Sequence, residues 1–330
     1  MQKYIFLVTF VNVHRYTNYM LVFRKIELSD KLWVDELLHY SQYRGTEYCF
    51  TSIFTWANFF HSTICRYKDL LIVRSESPHR LDYFYPAGRG SNEDFRDVFA
   101  KIIEDGKAEE KQCCIVGITK EIIPALKGQI EGLDTHRDIS SVLVPYRNSF
   151  DYIYLTKDLM TLAGRKYQPK RNHIKHFEAL TDWQYEEVTE RNIGECIAMN
   201  EEWCRENHCI HNLSKQSEAC ATRCAMNNFT ALQLKGGLLR VNGEVIAFSL
   251  GEQLNNDTFI VHVEKAFARI DGAYPAINRE FIRHAACNTT YVNREDDAGE
   301  EGLRKAKLSY HPVFLLEKYV LKLPLQTPLM

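Results

Sequence analysis

The chain has 330 residues, 45% of them hydrophobic and 12% aromatic, with 41 Lys and Arg against 43 Asp and Glu for a formal net charge of -2. That apolar content fills packed cores, and the length favours two domains over one. The near balance of charge excludes a global basic field for nucleic acid or an anionic membrane, leaving only local patches.

Residues 3–13 are apolar but far too short to span a bilayer. Residues 31–40 read as a helix, capped by Ser29 or Asp30, with Leu32, Trp33, Leu37 and Leu38 as its apolar stripe. Residues 47–60 are rich in aromatics. Strands are expected at 70–74 and 81–85 around a turn near Ser77 and Pro78, then a helix over 92–105 ended by Gly106. Residues 112–117 read as a buried strand and Thr119 as the opening of a short helix, closing an α+β half near Pro145. The second half opens with a strand at 151–154 and a partly helical stretch over 156–177, interrupted at Pro169. A strand over 183–188 and helices over 192–207 and 214–227 follow. Residues 232–241 and 244–252 flank Asn242-Gly243, a pair suited to a type I′ hairpin turn.

The stretch from Thr258 carries the most information. Phe259, Val261 and Val263 alternate with Ile260, His262 and Glu264 as in a strand. Pro275 sits where a first helical residue belongs, and Ala276, Ile277, Phe281, Ile282 and Ala285 follow at helical spacing. A strand feeding a Gly loop and a helix N-terminus is a common anion-site design. A last strand pair is expected from 290–293 and 313–321.

Ten cysteines without a secretory pattern read as reduced thiols in a cytoplasmic protein. Cys204, His208, Cys209, His211, Cys220 and Cys224 match no standard zinc spacing, so no metal is expected.

The runs EKAFARIDGAYPAINREF and YVNREDDAGEEGLRKAKLSYHP, with GRKYQPKRNHIKHF upstream and FTSIFTW more weakly, resemble a bacterial family of unknown function. That family is related to the C-terminal domain of lysyl-phosphatidylglycerol synthases, within the acyl-CoA N-acyltransferase (GNAT-like) fold that also includes Fem-type aminoacyl transferases. The resemblance starts near Phe23, which marks 1–19 as an N-terminal extension, with an added strand or interfacial anchor as the rival reading. It implies an α+β fold of tandem GNAT-like domains, each a mixed, mainly antiparallel sheet flanked by helices, over 20–148 and 149–330. The second would carry the active site.

Acyl or aminoacyl transfer to an amine needs a held donor, a base, oxyanion donors and an acid for the leaving group. Glu264, near the end of the central strand, is the candidate base; a structural salt bridge is the competing reading. Tyr310 is the candidate acid, a position where relatives often place a tyrosine, although a core tyrosine explains it as well. Arg294 completes the catalytic set. Asn278, Glu280, Asn293, Glu295, Asp296 and Lys307 are candidate substrate-binding residues, because the polar 293–301 loop at a strand exit suits the ammonium of an aminoacyl group. Its bland alternative is helix-dipole complementarity and solvated charge.

Arg269, Gly272, Ala273 and Tyr274 form the candidate donor loop. Coenzyme A enzymes of this fold usually carry Gln/Arg-x-x-Gly-x-Gly/Ala there, so Tyr274 and Asp271 weaken a coenzyme A reading. Lys166, Lys170 and Arg171 belong to a basic stretch able to grip phosphates, including the acceptor end of a tRNA. The function so implied is transfer of an aminoacyl group from aminoacyl-tRNA, or an acyl group from acyl-CoA, onto a small amine, amino acid or hydroxyl by direct attack, with no further cofactor certain. The competing class is a non-catalytic ligand-binding or regulatory module on a degenerate fold.

Overall fold

The computed structural model describes residues 20–130, 142–180 and 182–323. The expected N-terminal extension lies outside them.

In chain order, α1 (Lys31–Ser41) is followed by the short helices α2 (Phe50–Thr55) and α3 (Ala57–Phe60), which take up the aromatic stretch. Strands β1 (Thr63–Tyr67), β2 (Leu70–Ser77), β3 (Arg80–Phe84) and β4 (Ala87–Gly88) precede α4 (Asn92–Glu109), β5 (Gln112–Thr119), α5 (Ile123–Gln129) and β6 (Leu143–Pro145). Next come β7 (Asp151–Leu155), α6 (Thr156–Thr161), α7 (Gln168–Glu178), β8 (Trp183–Glu187), α8 (Ile193–Glu206) and α9 (Leu213–Asn227). The chain continues through β9 (Lys235–Val241), β10 (Glu244–Gln253), β11 (Thr258–Ala266), α10 (Ala273–Ala285) and β12 (Tyr291–Asn293). It ends with α11 (Glu301–Leu308), β13 (Phe314–Leu316) and β14 (Lys318–Lys322).

These elements form two compact units that exchange segments. Of the described residues, one unit holds 20–26, 60–130, 142–145 and 319–323, and the other holds 27–59, 146–180 and 182–318. The sequence division expected at 148/149 cuts the chain once, whereas the chain passes between the units four times, after residues 26, 59, 145 and 318.

The first unit has a sheet of order β1-β2-β3-β5-β14-β6, with β4 on β2. An antiparallel meander β1-β2-β3 leads through α4 to β5, which runs parallel to β3. Ser91 caps α4 by accepting from the Asp94 amide at 3.2 Å, while Asp94 accepts the Ser91 amide at 2.9 Å. Gly106 does not end this helix, contrary to expectation. It lies inside, where a Cβ would sit 2.4 Å from Cys113 Sγ, so the glycine lets the helix lie against β5. Glu110 provides the left-handed cap at φ 53°. α5 likewise starts at Ile123 rather than Thr119.

The second unit has the order β13-β7-β12-β11-β10-β9-β8. The β9–β10 hairpin turns at Asn242 and Gly243 with φ of 48° and 84°, the paired positive values of a type I′ turn. β11 leads through α10 to β12, parallel to it. α10 buries Ala276, Ile277, Phe281 and Ile282, and Phe281 meets Phe259 of β11 edge-on with ring centroids 5.8 Å apart.

Three expectations for this unit need correction. α10 begins at Ala273, two residues before Pro275, because Gly272 adopts φ 79° and turns the chain into it. Pro169 opens α7 instead of interrupting a helix, since a first-turn residue needs no N–H. The 290–293 and 313–321 segments do not pair: β7 lies between β12 and β13, and the second segment divides into β13 and β14 of different sheets. Among the described residues no helix is long and apolar enough to cross a membrane.

Candidate active site

The site begins with an irregularity in β11. Leu250 and Gly251 of β10 face Val263 and Val261, so His262 is an extra residue in the strand. Such a bulge shifts side-chain parity by one. Phe259 and Glu264 consequently reach the same helix, Phe259 packing on Phe281 and Glu264 meeting Asn278. Opposite the bulge a Cβ on Gly251 would stand 2.2 Å from the Ile260 carbonyl oxygen, which accounts for the glycine.

Glu264 accepts hydrogen bonds from Asn278 Nδ2 at 2.7 Å and Arg294 Nη2 at 2.8 Å. The Glu264 and Arg294 side chains are only 12% and 11% exposed. The Arg294 guanidinium lies 4.6 Å from the Tyr310 ring centroid and 5.6 Å from that of Tyr154, and Lys170 Nζ lies 4.1 Å from the Tyr310 ring. Arg294 Nη1 and Asn278 Oδ1 are buried without a hydrogen-bond partner among the described residues. A donor and an acceptor left open beside one carboxylate are costly unless a ligand or water takes them.

Electrostatics follow from this enclosure. Burial pushes the Tyr310 and Tyr154 phenols above their ordinary range, and both stay protonated. Burial, then the neighbouring Arg294, lowers the Lys170 ammonium. Burial also disfavours the charge on Arg294, but Glu264 together with Tyr154 and Tyr310 more than offsets it and the guanidinium stays charged.

The structure thus brings together Glu264, Arg294, Tyr310, Asn278 and Lys170, the last expected as a donor-binding residue of the basic stretch. It separates the remaining candidates. Asn293 is fully buried and ties Asp151, at 2.9 Å, to the Arg44 carbonyl, at 2.8 Å. Asp151 in turn holds Lys318, which also pairs with Glu47 at 2.6 Å. Lys307 Nζ donates to the main-chain carbonyls of Arg294, at 2.5 Å, and Asp296, and so anchors the backbone that presents Arg294. Burial raises the Asp296 carboxyl to about 6. Glu280 pairs with Arg279 and Arg283. Glu295 accepts from His262 Nδ1 at 2.9 Å.

In the donor loop, Arg269 is paired with Glu206 and Glu202. Tyr274 Oη accepts from Trp203 Nε1 at 3.1 Å, while Ala273 is buried. A Cβ on Gly272 would stand 2.0 Å from the His173 carbonyl oxygen. Asp271 bridges His173 and His176 of α7 at 2.7 Å each, which binds this loop to the basic helix. Arg171 donates to the Leu162 and Gly164 carbonyls, and Lys166 is exposed with Asp158 at 3.3 Å.

Tyr154 escaped the sequence reading; its place at the end of a buried strand gave no signal beyond a core aromatic. So did Cys49, which meets Glu252 and His262 across more than 200 residues of chain. The Cys204–Cys224 group does not converge: among the described residues the trios of nearby metal-ligand types are Cys49–Glu252–His262 and the exposed His173–His176–Asp271. All ten cysteines are free.

Residues 39–322 match the model of the family described as phosphatidylglycerol lysyltransferase, C-terminal. The chain belongs to that family. Among solved structures, this phosphatidylglycerol lysyltransferase C-terminal-family chain is similar to a conserved protein of unknown function from Bacteroides thetaiotaomicron. The two are 38% identical with a TM-score of 0.83 over 92% of this chain and 100% of that one. It shares its fold with L-PGS from Bacillus licheniformis, at 13% identity and a TM-score of 0.60 over 92% and 96% of the two chains. An uncharacterised protein of Mycoplasmoides gallisepticum is 26% identical over 256 residues, 69% of this chain and 80% of that protein. The family and the two-sheet α+β fold therefore agree with the resemblance carried by residues 264–310.

Proposed function

We propose that the chain is an aminoacyl transferase that moves an aminoacyl group from aminoacyl-tRNA to a small amine or hydroxyl acceptor by direct attack. The observation that carries this reading is the open donor and open acceptor beside Glu264: Arg294 Nη1 and Asn278 Oδ1, both buried. Asn278 Oδ1 takes the ammonium of the aminoacyl group. Arg294 Nη1 takes the carbonyl oxygen and the negative charge that develops there, an arrangement worth most where water is excluded. Glu264 uses two of the roughly four acceptor positions of a carboxylate, which leaves it able to take the acceptor's proton.

The bond from the acceptor nitrogen or oxygen to the acyl carbon forms, the ester bond to the ribose oxygen breaks, and that oxygen leaves with a proton from Lys170. Lys170 suits the role because its lowered proton affinity eases release. Tyr310 and Tyr154 wall the guanidinium and hold its plane. The exposed Lys166 and its neighbours on α7 meet the tRNA backbone, and Asp271 keeps the Gly272 loop against that helix.

The test is single-turnover transfer from radiolabelled aminoacyl-tRNAs to a panel of amines and hydroxyl compounds, with acetyl-CoA as the competing donor. Glu264→Gln should lower transfer about 10²-fold or more; it also leaves the buried Arg294 guanidinium without its counter-charge and should cost about 3–5 kcal/mol, so transfer is assayed well below the variant's own thermal midpoint. Arg294→Ala removes one partner of a buried pair and should cost about 3–5 kcal/mol, so Arg294→Lys is the variant to assay for activity. Full transfer by Glu264→Gln would overturn the assignment of the base. Transfer from acetyl-CoA alone would overturn the donor.

A further inference from the structure

We propose that Cys49, Glu252 and His262 form a binding site for a divalent cation of the zinc class, separate from the groups assigned to transfer. Cys49 Sγ stands 3.0 Å from Glu252 Oε1 and 3.6 Å from His262 Nε2, and those two atoms are 3.0 Å apart. A tetrahedral ion with metal–sulfur and metal–nitrogen or –oxygen bonds of ordinary length spaces its ligands by roughly 3.3–3.6 Å, so small side-chain shifts complete the fit. One thiolate, one imidazole and one carboxylate are the mixed donor set that a borderline-soft ion prefers.

The surroundings are those of a metal histidine. The bulge in β11 turns His262 toward Glu252. Glu295 Oε1 accepts from His262 Nδ1 at 2.9 Å, which keeps a proton on Nδ1 and makes Nε2 the nitrogen that meets an ion once the proton it shares with Glu252 is displaced. Glu295 is itself set by its backbone: φ is 55°, its amide donates to Asn293 Oδ1 at 2.7 Å, and its carbonyl accepts from the Tyr152 amide at 3.1 Å. Lys31 Nζ, 4.0 Å from Glu252 Oε2, faces the oxygen that does not meet His262 and also pairs with Asp35 at 2.7 Å. A thiolate and the carboxylates of Glu252, Glu295 and Asp35 carry four negative charges, of which the Lys31 ammonium offsets one and a dication would offset two more. Binding displaces the Cys49 thiol proton and the proton that His262 Nε2 holds against Glu252, and both pass to solvent. The same trio does not suit a nucleophilic cysteine, because Cys49 is 4% exposed and its thiol is donated to a carboxylate.

An ion here joins the segment before α2, the end of β10, the bulge of β11 and the loop after β12. Glu264 lies two residues beyond His262, and Arg294 precedes Glu295, so the ion holds the backbone that aims both.

The experiment is Co²⁺ titration of the chelator-treated full chain, followed by absorption spectroscopy, then displacement by Zn²⁺. We expect one equivalent with a thiolate-to-cobalt charge-transfer band and tetrahedral visible bands. The band should vanish in Cys49→Ser, and Glu295→Gln should weaken affinity about 10–100-fold. Glu252→Gln, which preserves side-chain shape, should also lose the tetrahedral spectrum and stands in if Cys49→Ser fails to fold. Absence of the band overturns the proposal. So does a band that survives Cys49→Ser, which places the ion on other cysteines, or cobalt binding lost only in His173→Ala and His176→Ala.

Discussion

Asp297 shows how a single buried carboxylate governs the loop that presents Arg294. It is fully buried and accepts from Arg304 Nε at 2.8 Å, Tyr152 Oη at 2.6 Å, Arg147 Nη1 at 3.1 Å and the Gly299 amide at 3.0 Å. Burial alone would raise its pKa, but Arg304, Tyr152 and the Gly299 amide outweigh burial and hold the carboxyl well below the usual range. A folded-state value below the unfolded one adds stability that is complete above an unfolded pKa of about 3.9 and is lost as pH falls further toward the folded value. Asp297→Asn should therefore cost about 3 kcal/mol at neutral pH and flatten the loss of stability below about pH 4. Urea unfolding at pH 7 and at pH 3 reads both effects; equal losses at the two pH values would show that charge is not the cause. In sequence, Glu264 was a polar residue near the end of an alternating strand and Asp297 one of the polar residues of the 293–301 loop. The sequence carried no sign that one ends beside open donors and acceptors while the other is spent on loop structure, because that depends on partners as distant as Arg147.

At the scale of elements, local chemistry was legible wherever it was sufficient. Asn242-Gly243 specified its hairpin, and the alternation of residues 259–264 located β11, which spans Thr258–Ala266. The bulge at His262 was not legible: the inserted residue leaves the run Phe259 to Glu264 looking like regular alternation, and only pairing with β10 exposes the shift. Gly106 misled for the opposite reason, since a glycine needed for helix-to-strand proximity looks the same in sequence as a helix stop. Gly272 combines both demands, a φ of 79° and a Cβ position 2.0 Å from the His173 carbonyl, whereas Gly243 has a φ of 84° with open space around it. Gly243→Ala should lose about 1–2 kcal/mol for the left-handed backbone alone. Gly272→Ala should lose more, because α7 must also move, and the movement should disturb the Asp271 bridge to His173 and His176. Comparison of the two urea midpoints isolates the steric part; equal losses would mean that the loop moves aside without cost.

Across the whole molecule, the sheets share an order of connection that the sequence did not reveal as a repeat. In each, a three-stranded antiparallel meander leads through one helix to a strand parallel to the third: β1-β2-β3-α4-β5 in one unit and β9-β10-β11-α10-β12 in the other. Side chains on the two copies answer to different tasks, so topology persists where residue identity does not. The first unit also depends on the last strand of the chain, because β14 lies between β5 and β6, and the Leu323 amide donates to the Cys113 carbonyl at 3.0 Å. Loss of an interior strand leaves two unpaired strand edges and the apolar surface of Leu321 and Leu323 unfilled. A chain ended at Lys318 keeps the Lys318–Asp151 pair of the second unit but lacks that strand. Hydrogen exchange should then lose protection through β1, β2, β3 and β5 while β9, β10 and β11 retain theirs, with separate unfolding transitions for the two units. Unchanged protection in β5 would show that β3 and α4 alone suffice to hold it; loss in both units together would show that they unfold as one cooperative body.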